Sequence, residues 1–432
     1  MNSFLILPHQ LFEDKYLPDP KKYKIILWEH PQYFTKYKYN KKRIILHRGS
    51  MQYYKDYMSK LGFKVQYIEF NKKFSEKKYE MFDPIDKLKL SGDPIIHESP
   101  NFLLTKDIYK EYRKKTKNLF FNSFYMWGKK KINVIPNVKS QDKLNRFKLP
   151  KAIKIPPVLD HSKDEIKYIN EAVKYVEKHF NNLYGSCDDF IFPISHKSAT
   201  KFIKDFIKHK LNNFGKYQDA IDKENSFLFH SILSSSLNIG LIQPLDLCKY
   251  IVETGTAMNN KEGFIRQLFW REYQRLCYIY GSYGKQNYFG NKGKIGKDWY
   301  SGSLGIDPVD DTIKKAFKNG YINHIERLMI MGNFMNLMRI DPKEGFRWFM
   351  EFSCDSYEWV MHQNVYDMAF FANENQSMRR PYLSSSNYIL KMSNYGNGEW
   401  TEKWNDLYDK FLKDCKKKLW KYRYYFRGLK DI

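Results

Sequence analysis

The chain has 432 residues, 74 of them Lys or Arg against 48 Asp or Glu, for a formal net charge of +26. That length allows two domains or one large one, and so basic a balance, with a pI near 9.5, points to polyanionic partners and to nucleic acid first. No apolar run reaches membrane-spanning length and no N-terminal signal peptide is visible, which argues against membrane and secreted classes. The expected setting is intracellular and soluble, whether nucleus, cytoplasm or viral factory, and the expected state is a monomer. Cys187, Cys248, Cys277, Cys354 and Cys415 show neither a CxxC pair nor metal-ligand spacing and read as reduced thiols. Lys, Asn, Ile and Tyr are all abundant, as AT-rich coding produces, so part of the charge is compositional.

Residues 1–135 alternate short apolar runs with helical stretches. Phe4–Leu7, Lys24–Trp28, Val65–Ile68 and Pro94–His97 read as buried strands, and a helix is expected across Met51–Leu61, closed by Gly62. Such alternation predicts an N-terminal α/β domain with a doubly wound parallel sheet. No GxGxxG follows any strand, so a dinucleotide site of that type is not indicated. Residues 136–160 carry Pro136, Pro150, Pro156 and Pro157 among basic residues and read as an interdomain linker over the surface. Ser162 and Glu165 form a capping box, with Ile166, Ile169, Val173, Val176 and Phe180 at helical spacing behind it. Phe202, Ile203, Phe206, Ile207 and Leu211 repeat the pattern with lysines on the other, solvated face. Residues 161–432 hold helices and loops without a convincing sheet, so the C-terminal domain is expected to be all-α. With Ile432 as the last residue, a long signalling extension is not expected.

Three patches carry most of the chemistry: Glu262–Tyr273, Asn319–Phe334 and Cys354–Asn364. Tyr321, Ile325, Leu328 and Met329 recur at helical spacing, and His324 and Arg327 share a face. Burying either one alone is costly, and Asp355 and Asn364 are the partners within reach of the pattern. Ser231–Gly240 packs hydroxyls around Leu233 and Leu237, which suits a phosphate and equally a serine-rich turn. Gly290–Asp298 is glycine-rich and basic but lacks the phosphate-binding spacing, with Asn291 and Asp298 at the wrong places, and reads as a mobile surface loop.

Trp270–Tyr273 (WREY), Gly320–Phe334 (GYINHIERLMIMGNF), Asp355–Asn364, Arg379–Tyr395 (RRPYLSSSNYILKMSNY), Phe214–Ala220 (FGKYQDA) and Leu228–Leu241 (LFHSILSSSLNIGL) resemble the cryptochrome/photolyase family. The strongest resemblance is to its bacterial branch of photolyase-related iron–sulfur (6-4) photolyases. It covers nearly the whole chain, more weakly in the N-terminal third. It implies the photolyase fold, FAD in the helical domain, UV-damaged DNA as partner, and an α/β domain of the type that holds an antenna pigment, a lumazine in related proteins. On this resemblance Tyr217, Ser231, Ser234, Leu237, Arg271, Arg327, Asp355 and Asn364 hold FAD. Trp270 stacks on damaged bases, Arg379 and Arg380 meet DNA, and Tyr382 lines the lesion pocket. Gln267 and His324 stand where (6-4) photolyases carry a glutamine and the histidine that moves a proton, whereas dimer photolyases carry Glu and Asn. An imidazole suits that task through its near-neutral pKa. Trp348, with Trp299 or Tyr300, matches an electron relay, although Phe349 replaces a tyrosine of that route.

The branch ligates an iron–sulfur cluster with four cysteines, and here the matching positions read Pro308, Gly396 and Glu399, with no fourth cysteine before Cys415. No cluster and no metal are expected, and packing around Trp400, Trp404 and Tyr408 takes its structural place. The expected activity is light-driven (6-4) photoproduct repair by reduced FAD. Cyclobutane-dimer repair, a cryptochrome-like photoreceptor and a basic nucleic-acid binder are the alternatives.

Overall fold

The computed structural model describes residues 1–426, 428 and 429. Five strands, β1 (Asn2–Ile6), β2 (Tyr23–Trp28), β3 (Val65–Ile68), β4 (Lys78–Phe82) and β5 (Asp93–His97), form one parallel sheet in the order β3-β2-β1-β4-β5. Phe4, Leu5 and Ile6 of β1 and Ile25, Ile26 and Leu27 of β2 are buried, as central parallel strands require. β4 was not legible, because Lys78, Glu80 and their neighbours break the apolar run, yet Tyr79 and Met81 face inward. The expected buried strand at Pro94–His97 is corrected: β5 is an exposed edge, where Pro94 lacks no ladder partner and Ile95 is 61% exposed.

The helix expected at Met51–Leu61 spans Lys41–Lys60, capped by Asn40, whose side chain accepts from Lys42 N at 2.9 Å. Its first half was hidden because Arg43, His47 and Arg48 occupy the buried face. Arg48 is held by Glu29 (2.9 Å) and Glu171 (2.6 Å). Glu171 belongs to the helix Lys163–His179, which packs on Lys41–Lys60, so the sheet layer draws in a helix from beyond residue 160. The capping box heads this helix as expected, with Ser162 N donating to Glu165 at 3.3 Å.

Residues 136–160 are anchored: Gln141 N donates to Glu262 (3.0 Å), Asp142 pairs with Arg266 (2.6 Å), and Leu149, Ile153 and Ile155 pack on Tyr217 and Phe229. Beyond them the described chain is helices and loops, centred on the long helix Met258–Tyr280. The helix read across Asn319–Phe334 is broken at its start. Asp307–Asn319 ends at Gly320 (φ 63°), and winding resumes at Asn323, which caps Glu326 N (3.0 Å) while its own N–H donates to Glu326 (3.2 Å). Glu326–Gly332 is π-wound, as is His362–Ala369, a departure common at functional sites. The loop Gly290–Asp298 is tied down and not free: Gly293 N donates to the Arg339 carbonyl and Asp341 N to the Gly293 carbonyl, each at 2.8 Å.

Candidate functional site

The long helix, the π-wound segments Glu326–Gly332 and His362–Ala369, and the stretch His230–Asn238 surround a cavity of about 1450 Å3, its open mouth included. Its wall carries Ser231, Ser234, Leu237, Gln267, Trp270 and Arg271 from the earlier patches, and His324, Arg327, Asp355 and Asn364 from the later ones. The cavity gathers ten residues singled out from sequence.

Seven others lie elsewhere. Tyr217 is buried against Phe229 in a satellite cluster, while its neighbours Gln218 and Asp219 face the cavity. Tyr382 and Arg380 stack on each other with Arg380 also over Tyr425, and Arg379 lies over Phe120. Trp348, Trp299 and Tyr300 stand behind the wall formed by Phe349.

A hydrogen-bonded line crosses the cavity floor and joins the patches. Arg271 Nε donates to Asn238 Oδ1 (2.9 Å), Asn238 Nδ2 donates to the Asp355 carbonyl (2.9 Å), and Arg327 grips the Asp355 carboxylate through Nη1 (3.0 Å) and Nη2 (3.3 Å). Burial alone would raise the Asp355 pKa, but the Arg327 charge and hydrogen bonds from Ser353 and Ser234 outweigh it and hold the carboxyl below its usual range. Burial pushes Arg271 down to about 10 against the opposing charge of Glu272, so its cation is held at neutral pH. His324 opens onto the cavity yet sits deep in the protein, and burial first, then Arg327, push its pKa down to about 4.

Sequence reading missed His230, Asn238 and Asp219. His230 Nε2 and Gln218 Oε1 on the cavity wall are buried without a protein partner, and the hydroxyls of Ser235 and Ser236, in the short helix Ser234–Asn238 behind the wall, are unpaired as well. Buried polar atoms are normally paired, so this run fits a ligand rich in hydrogen-bonding groups. His230 directly precedes the serines, which was its only sequence signal. Asp219 is pushed up to about 6 by burial and by the charge of Asp142. The cations Arg271 and Arg327 and these unpaired groups fit a ligand with anionic and hydrogen-bonding parts, as a flavin dinucleotide has.

Behind Phe349 the aromatic rings run outward. Trp348 is fully buried, 5.3 Å from Phe349 and 5.7 Å from Phe317, and Phe317 is 5.5 Å from Tyr300, which stacks on Tyr184 at 4.4 Å. Trp348 Nε1 donates to the Trp299 carbonyl (2.7 Å), and Tyr300 donates to Glu351 (2.6 Å).

Pro308, Gly396 and Glu399 lie at a corner packed by Tyr395, whose hydroxyl donates to Asp311 (3.0 Å), and by Trp400, whose indole donates to the Gly396 carbonyl (3.1 Å). Cys415 accepts from Arg339 (2.6 Å). Among the described residues no three His, Cys, Asp or Glu side chains are grouped as a metal ion requires. The other customary ligand position, outside the carboxyl ends of β1 and β4 where the strand order reverses, is crossed by the chain itself. Gln10 donates to the Phe82 carbonyl (2.8 Å), His9 meets the Pro84 carbonyl (3.0 Å), and the fully buried Tyr357 lies against His9 (5.6 Å) and Tyr33 (5.7 Å).

A family model described as deoxyribodipyrimidine photo-lyase-related protein matches residues 4–91 and 74–192. A (6-4) photolyase of Agrobacterium fabrum is 38% identical over 236 residues, 53% of this chain and 46% of that protein, so the match spans about half the relative's length. Among solved structures, a class III photolyase from Agrobacterium tumefaciens aligns over 95% of this chain and 86% of its own, with a TM-score of 0.60 and 14% identity. A Synechocystis cryptochrome aligns over 96% of this chain and 89% of its own, with a TM-score of 0.63 and 13% identity. At those identities the structures speak to the fold, and among the described residues no helix is long and apolar enough to cross a membrane. Sequence match and fold agree: residues 4–192 match the photolyase-related family, and the chain as a whole has the fold of the photolyases and cryptochromes.

Proposed function

We propose that this protein repairs (6-4) pyrimidine photoproducts in DNA under light, with FAD in the central cavity. The observation that carries this reading is that Gln267, Trp270 and His324 line the same cavity as the Arg327–Asp355 pair. Reduced FAD, when bound, supplies the electron that opens the lesion. Arg271 and Arg327 hold the cofactor's anionic groups, with Ser231, Ser234 and His230 as further hydrogen-bonding partners, and Arg327 favours negative charge near the ring. Trp270 offers the aromatic wall on which a flipped base stacks. Gln267 hydrogen-bonds the lesion, and His324 moves a proton. Since His324 rests neutral, it takes a proton as negative charge arrives beside it.

The switch-point crevice is filled by His9, Gln10, Tyr33 and Tyr357, so this reading places no antenna pigment there. It also places no iron, the aromatic corner around Trp400 and Trp404 standing in for a cluster. Illumination of the purified flavoprotein with oligonucleotides carrying each defined lesion tests the proposal. Restored (6-4) sites support it; restoration of cyclobutane dimers alone hands the case to dimer repair, and no restoration of either leaves a photoreceptor.

A further inference from the structure

Asp355 reaches the cavity from residues 353–357, and that short stretch is gripped from behind by the sheet layer. Arg43, on the inward face of the helix Lys41–Lys60, donates from Nη1 to the Ser353 carbonyl (3.4 Å) and to the Ser356 carbonyl. The two carbonyls flank Asp355 in the chain. Asp86 adds a second hold just downstream, accepting from Trp359 N (2.9 Å). On the cavity side the Ser353 hydroxyl donates to the Asp355 carboxylate and accepts from Arg327 Nη2 (3.3 Å). Ser353 therefore carries the sheet-layer contact on its carbonyl and the Arg327–Asp355 contact on its hydroxyl.

Arg43 is a costly group to place there. Its side chain is fully buried, its Nε and Nη2 find no protein partner, and two backbone carbonyls would accept from a neutral donor as readily. What a guanidinium adds is a planar, rigid donor, and here its plane is fixed by the rings of Tyr39 (4.4 Å) and Tyr357 (4.9 Å).

We propose that Arg43 is a positioning residue for the flavin. By fixing the carbonyls on either side of Asp355 it sets where that carboxylate stands, and through it where Arg327 presents its charge to the cavity. The Nη end of Arg327 is held by Asp355 and Ser353, and its Nε by the Ile322 carbonyl (2.9 Å). The inference rests on FAD occupying that cavity. Arg327 favours negative charge near the ring, so a displaced Arg327 lowers the preference for the anionic reduced cofactor over the oxidised one. A merely structural clamp would weaken both forms alike.

The test measures, without oxygen, the affinity of the full chain for oxidised and for reduced FAD. Arg43→Met is expected to lower the ratio of reduced to oxidised affinity roughly fivefold or more. In an Asp355→Asn background, which has no carboxylate to place, the same change is expected to leave the ratio within about twofold. Arg43→Lys keeps the cation and a donor without the planar fork. It is expected to show a smaller fall of the same kind, and it carries the test where Arg43→Met fails to fold. A ratio unchanged in both variants, equal weakening of both forms, or an undiminished fall beside Asp355→Asn would overturn the proposal. Unfolding of both variants would make Arg43 a structural clamp and overturn it too. Failure of the unaltered protein to take up FAD would sink the cofactor reading and this inference with it. Flavin held normally, with a ratio indifferent to Arg43, would sink the inference alone.

Discussion

The ring of Phe121 lies parallel to that of Trp270, with centroids 3.7 Å apart and planes 6° from one another. Phe121 comes from the short helix Phe121–Lys131, which packs against the long helix, and Tyr273 closes the group edge-on at 5.4 Å. One face of the indole is thus already taken, and the Trp270 plane is fixed before any base arrives.

That stack makes Phe121 a positioning residue. Phe121→Leu is expected to keep flavin and overall fold while the dark preference for lesion-containing over undamaged DNA falls several-fold, and Trp270→Leu is expected to cost more. Competition binding with both duplexes reads the difference. Unchanged preference in both variants would remove Trp270 from the lesion wall.

The Arg327–Asp355 pair governs the cavity floor. Arg327→Gln leaves Asp355 buried and unpaired, a loss of about 3–5 kcal/mol in stability, and adding Asp355→Asn is expected to return part of it in a double-mutant cycle. The carboxyl is held below its unfolded value, so its contribution is present above the unfolded pKa and lost as pH falls through the folded one. Asp355→Asn should flatten that acid limb in a denaturant series against pH.

His324 acts in the same direction as Asp355, in a higher pH window. Its folded pKa near 4 lies below the ordinary 6.5, so the unfolded chain binds more protons between those values and stability rises with pH across them. His230, also near 4, and His362, near 4, add to the same limb. His324→Ala is expected to retain FAD and photoreduction while (6-4) repair drops roughly two to four orders of magnitude. Gln267→Ala should lose less. A stable His324→Ala protein that repairs at the unaltered rate would remove the histidine from the chemistry, whereas one that loses its flavin would make it a core residue.

The ring series behind Phe349 predicts the route of photoreduction. Trp348→Phe should slow flavin photoreduction by an order of magnitude or more without altering repair by pre-reduced protein. Tyr300→Phe should slow it less, and its effect should shrink in deuterated buffer, since the Tyr300 hydroxyl hands its proton toward Glu351 across 2.6 Å. Photoreduction indifferent to both changes would direct the electrons elsewhere.

What the sequence determined by itself were the features written in local pattern. The aliphatic runs of β1 and β2, the capping box at Ser162 and the helical spacing of the C-terminal half specify their elements through nearest-neighbour physics, and the fold class follows. The cavity residues His324, Arg327, Asp355 and Arg271 were found from motif resemblance, because their types are informative even before their positions are known. Tertiary structure alone decided the rest. The helix Lys41–Lys60 was half hidden because its inward face holds Arg43, His47 and Arg48, whose partners lie in Glu29, Glu171, Ser353 and Ser356, remote in sequence. A buried cation breaks the apolar period, and only the distant partner explains it. The same reason applies to His230 and Asn238, which mean little until the fold sets Asn238 between Arg271 and the Asp355 carbonyl and brings His230 to the cavity that Arg327 lines. Tyr217 shows the converse: a residue in a matching motif whose side chain turns to Phe229 and Leu149, because the apolar ring is held more favourably in that cluster than on a polar wall. Stacking of Phe121 on Trp270 joins two segments nearly 150 residues apart, and no local pattern encodes a contact whose strength comes from burial of both rings together.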